Sequence, residues 1–171
     1  MGVVDPFSVA RAAGLELVRT SEGLTLTDGT MELRADFGRM LPRLKQGRLQ
    51  QELLVKAARA KGIEQPWAID ATAGFGEDSL LLAAAGFTVD LYEQDCVIAA
   101  LLKDALDRAA GDSVLAAAVA RMRSLGVGLA GTPEFDDFVA MLNSRHGLDA
   151  MPVVDSLLFC SPAREDASRF M

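Results

Sequence analysis

The sequence predicts an α/β fold: an open parallel sheet wrapped by helices, preceded by a small β-hairpin and a helix. Three observations carry this expectation. From Trp67 onward, short apolar runs alternate with helical patterns, which is the texture of strand–helix–strand units. Before Trp67, two runs of alternating polarity flank Asp28-Gly29, a strong signal for a tight hairpin turn. The composition, 171 residues with 50% hydrophobic and 24% charged, suits one domain with a substantial core and excludes a disordered or fibrous chain.

The elements follow in order. Leu24-Thr25-Leu26-Thr27 and Thr30-Met31-Glu32-Leu33-Arg34 read as the hairpin, and Leu15-Glu16-Leu17-Val18 as a third strand beside it. Residues 38–47, with Pro42 inside, read as a loop. Leu49, Leu53, Ala57 and Ala60 then recur at helical spacing until Gly62. Trp67-Ala68-Ile69-Asp70 is a short strand, followed by a glycine-containing turn and a helix to about Ala85. Residues 88–93 form a second strand. Asp95 caps a helix whose Val97, Ile98, Leu101, Leu102, Ala105 and Leu106 make an apolar face. Asp112 or Ser113 caps a further helix to about Leu125, residues 127–130 make a third strand, and Thr132-Pro133 opens another helix. Residues 153–160 make the fourth strand. The chain divides accordingly into a hairpin and basic loop over 1–47 and a strand–helix core over 48–171.

Charge is distributed unevenly. Residues 1–61 carry a net +3 and residues 62–171 a net −10, within a total of −7. Arg34, Arg39, Arg43, Lys45, Arg48, Lys56, Arg59 and Lys61 face only Asp36 and Glu52 in their segment. Such a run is either an electrostatic footprint for phosphate or a solvated helix face. The longest apolar stretch, Leu80 to Val89, is about half of the roughly 20 residues that a membrane-spanning helix needs. The opening residues match neither a secretion signal nor a myristoylation motif. Two cysteines, Cys96 and Cys160, are too few for a disulfide framework or a cysteine zinc site. A reduced, cytoplasmic setting is the expectation.

The chemistry concentrates where strands feed loops. Ligands of open α/β sheets bind beyond the carboxyl ends of strands, and Asp70-Ala71-Thr72-Ala73-Gly74-Phe75-Gly76-Glu77-Asp78 stands at such an end. Its glycines let the backbone approach a ligand closely. It lacks the G-x-G-x-x-G spacing of a dinucleotide loop, and an acid before the turn would repel a pyrophosphate. Glu93 ends the next strand, 23 residues after Asp70, and an acid there is placed to accept from two ribose hydroxyls. Together the two acids describe a nucleoside with a free ribose and a cationic, non-phosphate end. S-adenosylmethionine fits that description and NAD fits it poorly. Among other residues, His146 before Gly147 reads as a helix C-cap, Asp136-Asp137 as helix-start acids, and Cys96 as a buried thiol.

Residues 31–110 resemble the bacterial small-subunit ribosomal RNA guanine-N2 methyltransferases of the RsmJ type, within the class I S-adenosylmethionine-dependent methyltransferases. The likeness is carried by the 70–78 stretch and by Val97-Ile98-Ala99-Ala100-Leu101-Leu102 after Glu93; Gly47-Arg48 and Lys56-Ala57 resemble the family's basic loop and helix upstream. The resemblance implies a Rossmann-like class I methyltransferase sheet, shortened after the fourth core strand. It implies that Gly74, Phe75, Gly76, Glu77 and Asp78 wrap the methionine and ribose side of S-adenosylmethionine, and that Asp70 belongs to the same site. Glu93 would hold the ribose, Gln94 would lie beside the adenine, and Gly131-Thr132 near the adenine amine. The family carries Arg or another residue where this chain has Glu77. Its members end the fourth strand with Asp-Pro-x-aromatic-Pro, whereas this chain reads Leu158-Phe159-Cys160-Ser161-Pro162-Ala163. Cys160 and Ser161 would be weak acceptors for an amine that needs orienting.

These readings lead first to a methyltransferase acting on ribosomal RNA, with Arg39, Arg43, Lys45 and Arg48 holding the RNA backbone and the target base extruded. A non-catalytic relative serving as a binding module is the second reading, and a different nucleotide-binding α/β protein, such as an oxidoreductase, the third. The resemblance also places a fifth strand beside the fourth, and only 11 residues follow Cys160. An exposed strand edge of that kind predicts either a homodimer or a piece of a longer protein.

Overall fold

A computed structural model of the chain describes residues 5–59, 64, 66–127 and 158–161. It opens with a helix that sequence periodicity did not single out, α1 (Pro6–Ala12). Its signal was nonetheless present: Asp5 accepts from the Phe7 and Ser8 amides, and Pro6 occupies the first turn, where a missing N–H costs nothing.

Strands β1 (Glu16–Thr20), β2 (Gly23–Thr27) and β3 (Glu32–Leu33) form an antiparallel sheet in that order. The hairpin is where the sequence puts it, but its connection is four residues long, since Thr27 pairs with Glu32. Asp28 accepts from the amides of Thr30 and Met31 at 2.8 and 2.7 Å, and Thr27 Oγ1 donates to the Met31 carbonyl. These local bonds satisfy a wider turn than a two-residue one.

The expected loop over 38–47 is more ordered than that. A 3₁₀ turn (Phe37–Met40) runs into α2 (Leu41–Leu44), with Pro42 in the first helical turn, where proline is tolerated. The helix expected from Leu49 is broken instead. Glu52 is extended (ψ 127°) and separates a 3₁₀ turn (Leu49–Gln51) from α3 (Leu53–Ala58).

The main sheet has the order β6-β5-β4-β7. Strand β4 (Trp67–Asp70), helix α4 (Glu77–Ala84), strand β5 (Thr88–Glu93) and helix α5 (Cys96–Ala109) lie close to their expected bounds. Asp95 caps α5 by accepting from the Val97 and Ile98 amides. Strands β4, β5 and β6 are parallel. Helix α4 is buried from Ser79 through Ala83, apolar nearly all round, as a helix enclosed by protein should be. It shares one core with Ala68, Val89, Leu91 and Met122 of the sheet, Leu101, Leu102 and Ala105 of α5, and Leu17, Leu24 and Phe37 of the N-terminal part.

Two expectations change in this sheet. The helix after Asp112 is short, α6 (Ala116–Val119), and β6 (Met122–Val127) begins where the helix was expected to continue. Val89 N–H donates to the Arg121 carbonyl, and Met122 and Arg123 pair with Val89 and Asp90. Arg123 also forms an ion pair with buried Asp90, which accepts from Trp67 Nε1 at 2.8 Å. Sheet pairing and this buried charge override the helix propensity of an alanine-rich run. The last described strand, β7 (Leu158–Ser161), lies beside β4 but antiparallel to it, not parallel. The expected elements over 128–157, including His146 and Asp136-Asp137, lie outside the described residues.

The small sheet is fastened to α5 by one carboxylate. Asp104 Oδ2 accepts from the buried Leu24 amide and from Arg108 Nε, at 2.9 and 2.8 Å, and Arg108 Nη2 donates to the Ala35 carbonyl. Burial opposes ionisation of Asp104, but the Arg108 and Leu24 hydrogen bonds outweigh it and hold its carboxyl below the usual range. Gly23 permits the approach, because a Cβ there would lie 2.4 Å from Arg108 Nε. Replacing Asp104 with Ala strands the Leu24 amide, and we expect a loss of about 1–3 kcal/mol in urea unfolding. A change within about 0.5 kcal/mol would show that the small sheet is held by apolar packing alone.

Candidate cofactor site

The site is built where β4 and β5 end. Asp70, the last residue of β4, is 2% exposed, and both its oxygens are engaged within the loop. Oδ1 accepts from the Thr72 amide at 3.2 Å and Oδ2 from Ser79 Oγ at 2.5 Å. Burial raises its pKa, the two hydrogen bonds oppose that, and the charges of Asp78 and Glu93 add to it. Asp70 therefore braces the loop from beneath. Ser79 is the partner that sequence reasoning missed; nothing in its spacing distinguishes it from any helical serine.

The loop turns on two glycines with positive φ, Gly74 (+52°) and Gly76 (+73°). Their surroundings differ. A Cβ on Gly76 would lie 2.8 Å from Leu102 Cδ1 and 3.4 Å from Met122 Cε and Phe37 Cζ, so packing demands glycine there. Among the described residues, a Cβ on Gly74 would meet only the Thr72 carbonyl, at 3.9 Å, so this position leaves space at the mouth of the loop. Phe75 between them is half-buried and packs on the core, while Glu77 and Asp78 are exposed in the first turn of α4, where acids suit the helix dipole.

Glu93 closes the other side. Its Oε2 accepts from the Gly74 amide and its Oε1 from the Asp95 amide, both at 2.8 Å. The Ala73 amide donates to the Tyr92 carbonyl at 2.9 Å, a second tie between loop and strand end. The pairing of β5 with β6 shifts register between Leu91 and Glu93, an irregularity of the kind that re-aims side chains at strand ends. Gln94 is exposed beside Glu93. Gly131 and Thr132 lie outside the described residues.

The structure brings Asp70, Gly74, Gly76 and Glu93 together, but it separates them from Cys160 and Ser161. In β7 the residue paired with Asp70 is Leu158, whereas Cys160 pairs with Ala68 and Ser161 with Trp67. Because β7 runs antiparallel, Cys160 and Ser161 stand about 7 and 10 Å back along β4 from its carboxyl end. A parallel strand would have carried them beyond Asp70 toward the loop.

Beside the loop lies the basic segment. Arg43 is committed: its Nε and Nη2 donate to Glu52 Oε1 and Oε2 at 2.9 and 2.8 Å. That hydrogen-bonded carboxylate raises the Arg43 pKa and lowers that of Glu52, and the nearby charges of Asp78 and Glu77 act on Arg43 in the same direction. Arg39, Lys45 and Arg48 are exposed and make no ion pair among the described residues; Lys56 and Arg59 share that condition. No helix among the described residues is long and apolar enough to cross a membrane.

The donor set suits the ligand that the spacing suggested. Gly74 leaves a space that a side chain would fill, Glu93 keeps acceptor sites beyond its two amides, and the nearby acids Asp78 and Glu77 disfavour phosphate. Comparison with known proteins agrees. The chain is 42% identical over 119 residues to ribosomal RNA small subunit methyltransferase J of Thioalkalivibrio sulfidiphilus, covering 65% of this chain and 47% of that protein. It is 42% identical over 94 residues to the protein of the same name from Acinetobacter baylyi (55% and 34%), and 41% over 101 residues to that of Pseudomonas aeruginosa (58% and 39%). The chain thus spans less than half the length of these curated relatives. The crystal structure of a SAM-dependent methyltransferase from Neisseria gonorrhoeae superposes with a TM-score of 0.59 at 25% identity, over 77% of this chain and 52% of that one, so the fold is Rossmann-like. The sequence model of a family described as "Putative SAM-dependent methyltransferase" matches residues 6–130, well over half of the chain, and the chain belongs to that family.

Proposed function

We propose that the chain binds S-adenosylmethionine at the 70–78 loop and Glu93, and serves methyl transfer to a guanine exocyclic amine of small-subunit ribosomal RNA in the cytoplasm. The observation that carries the cofactor reading is the meeting of Glu93 with Gly74 at an open loop mouth between β4 and β5. When bound, the cofactor supplies a methyl group on a cationic sulfur. In this reading Glu93 accepts from the ribose, Gln94 and Gly131-Thr132 flank the adenine, and Gly74 to Asp78 line the methionine side. Asp70 acts through the loop it braces. The RNA reading is supported by the names of the relatives and by the exposed cations Arg39, Lys45 and Arg48, which belong to the segment next to the loop.

A second reading, a cofactor-binding relative without catalysis, has its own support. The acid that ends the family's fourth strand has no counterpart in Leu158-Phe159-Cys160-Ser161-Pro162-Ala163, and Cys160 and Ser161 stand away from the loop. We also propose a homodimer through β7, whose far side has no strand among the described residues.

Four expected outcomes check these proposals. S-adenosylhomocysteine binds the purified chain in a calorimetric titration while NADH does not; binding of NADH alone would return the chain to the oxidoreductase reading. A methyl-transfer assay on unmodified small-subunit RNA then separates the enzyme from the non-catalytic relative. RNA retention falls steeply with salt, and reversing Arg39, Lys45 and Arg48 to Glu flattens the dependence of log K on log salt by about two to three units. An unchanged slope would make those cations a solvated surface. For the dimer, light scattering showing a monomer at high micromolar concentration would remove the β7 interface.

A further inference from the structure

Glu93 touches more of the molecule than a ribose contact requires. One oxygen takes the amide of Gly74, in the loop after β4, and the other takes the amide of Asp95, the N-cap of α5. These are the two loops that flank the site, and this single carboxylate joins them. A carboxylate offers about four acceptor positions, two on each oxygen. The amides use one on each oxygen, so one on each remains, and that remainder matches the two O–H donors of a vicinal diol.

We propose that Glu93 is a positioning residue as well as a ligand contact: it clasps the β4–α4 and β5–α5 loops in their binding geometry, and the diol completes a carboxylate that is already half coordinated. This rests on the cofactor reading for the identity of the ligand, but not for the clasp itself. The clasp gives the Gly74 amide a charged acceptor, while a Cβ on Gly74 would find only the Thr72 carbonyl within 4 Å among the described residues. It also implies that Gln is no substitute. Its amide nitrogen would face one of two N–H donors, so one loop must be released.

The test separates clasp from contact. In the ligand-free wild-type protein, the Gly74 and Asp95 amides should exchange with deuterium about tenfold to a hundredfold more slowly than in free peptide, the range of a charge-assisted hydrogen bond. Glu93→Ala should remove that protection at both amides, and Glu93→Gln at one or both, while the buried Leu101 and Leu102 amides of α5 report that the fold persists. Exchange at the free-peptide rate in the wild type, or protection unchanged in both variants, would overturn the clasp. The second arm uses S-adenosylhomocysteine and its 2′,3′-dideoxy analogue in calorimetry. If Glu93 only met the ribose, Glu93→Gln would leave the affinity for the dideoxy analogue unaltered. The clasp instead requires the variant to bind that analogue at least about fivefold more weakly, because the loops must now be ordered on binding. Equal affinities would overturn it. If the wild type binds neither compound, the cofactor reading fails, and the exchange comparison still decides the clasp.

Discussion

The structure depends on a close approach at Gly76. Four parts of the chain converge there: Gly76 itself from the loop after β4, Phe37 from the N-terminal segment, Leu102 from α5 and Met122 from β6. A methyl group at that point would lie 2.8 Å from Leu102 Cδ1, closer than carbon atoms pack. With hydrogen alone, α4 can start directly against the core, and its Ser79 comes within reach of Asp70. The start of α4 at Gly76 is thus packed against the core, and the Asp70 brace and the space at Gly74 stand within the same short loop. The two glycines of the loop thus do opposite things, one admitting protein and the other leaving room.

Charge is organised around the same place. The loop and its flanks hold Asp70, Glu77, Asp78 and Glu93, while the segment over 39–59 supplies the cations. They do not neutralise one another wholesale. Arg43 spends its charge on Glu52 in a bidentate pair, which secures the segment, and Arg39, Lys45 and Arg48 remain in solvent. An acidic loop beside a basic segment would favour a cationic small ligand at one and a polyanion at the other. Asp104 performs the corresponding structural task on the far side of α5, where its carboxylate replaces solvent for the Leu24 amide.

Much of this was legible in the sequence because it is local. Strand β4, strand β5, helix α5 with its Asp95 cap, and the Asp28-Gly29 hairpin are each specified by neighbours within a few residues. The glycine loop and the Asp70 to Glu93 spacing announced the site for the same reason. What local pattern could not give was which backbone groups and charges would find partners far along the chain. Residues 120–125 read as the end of the helix capped at Asp112 or Ser113, yet β5 offers a sheet edge and Asp90 a buried charge for Arg123, and strand pairing wins. Arg43 reads as one free cation among several until Glu52 is folded against it.

The sequence by itself determined the order of β4, α4, β5 and α5, the acids at two strand ends, and the glycines between them, since propensity, capping and turn chemistry act over a few bonds. Only the tertiary structure decided that Asp70 braces the loop rather than facing outward, and that Gly76 serves packing and Gly74 access. It also decided that Glu93 joins two loops, and that β7 runs against β4 so that Cys160 and Ser161 fall behind the site. Each of these rests on burial, steric contact or hydrogen bonding between residues distant in the chain, and such pairings exist only once the core has closed around them.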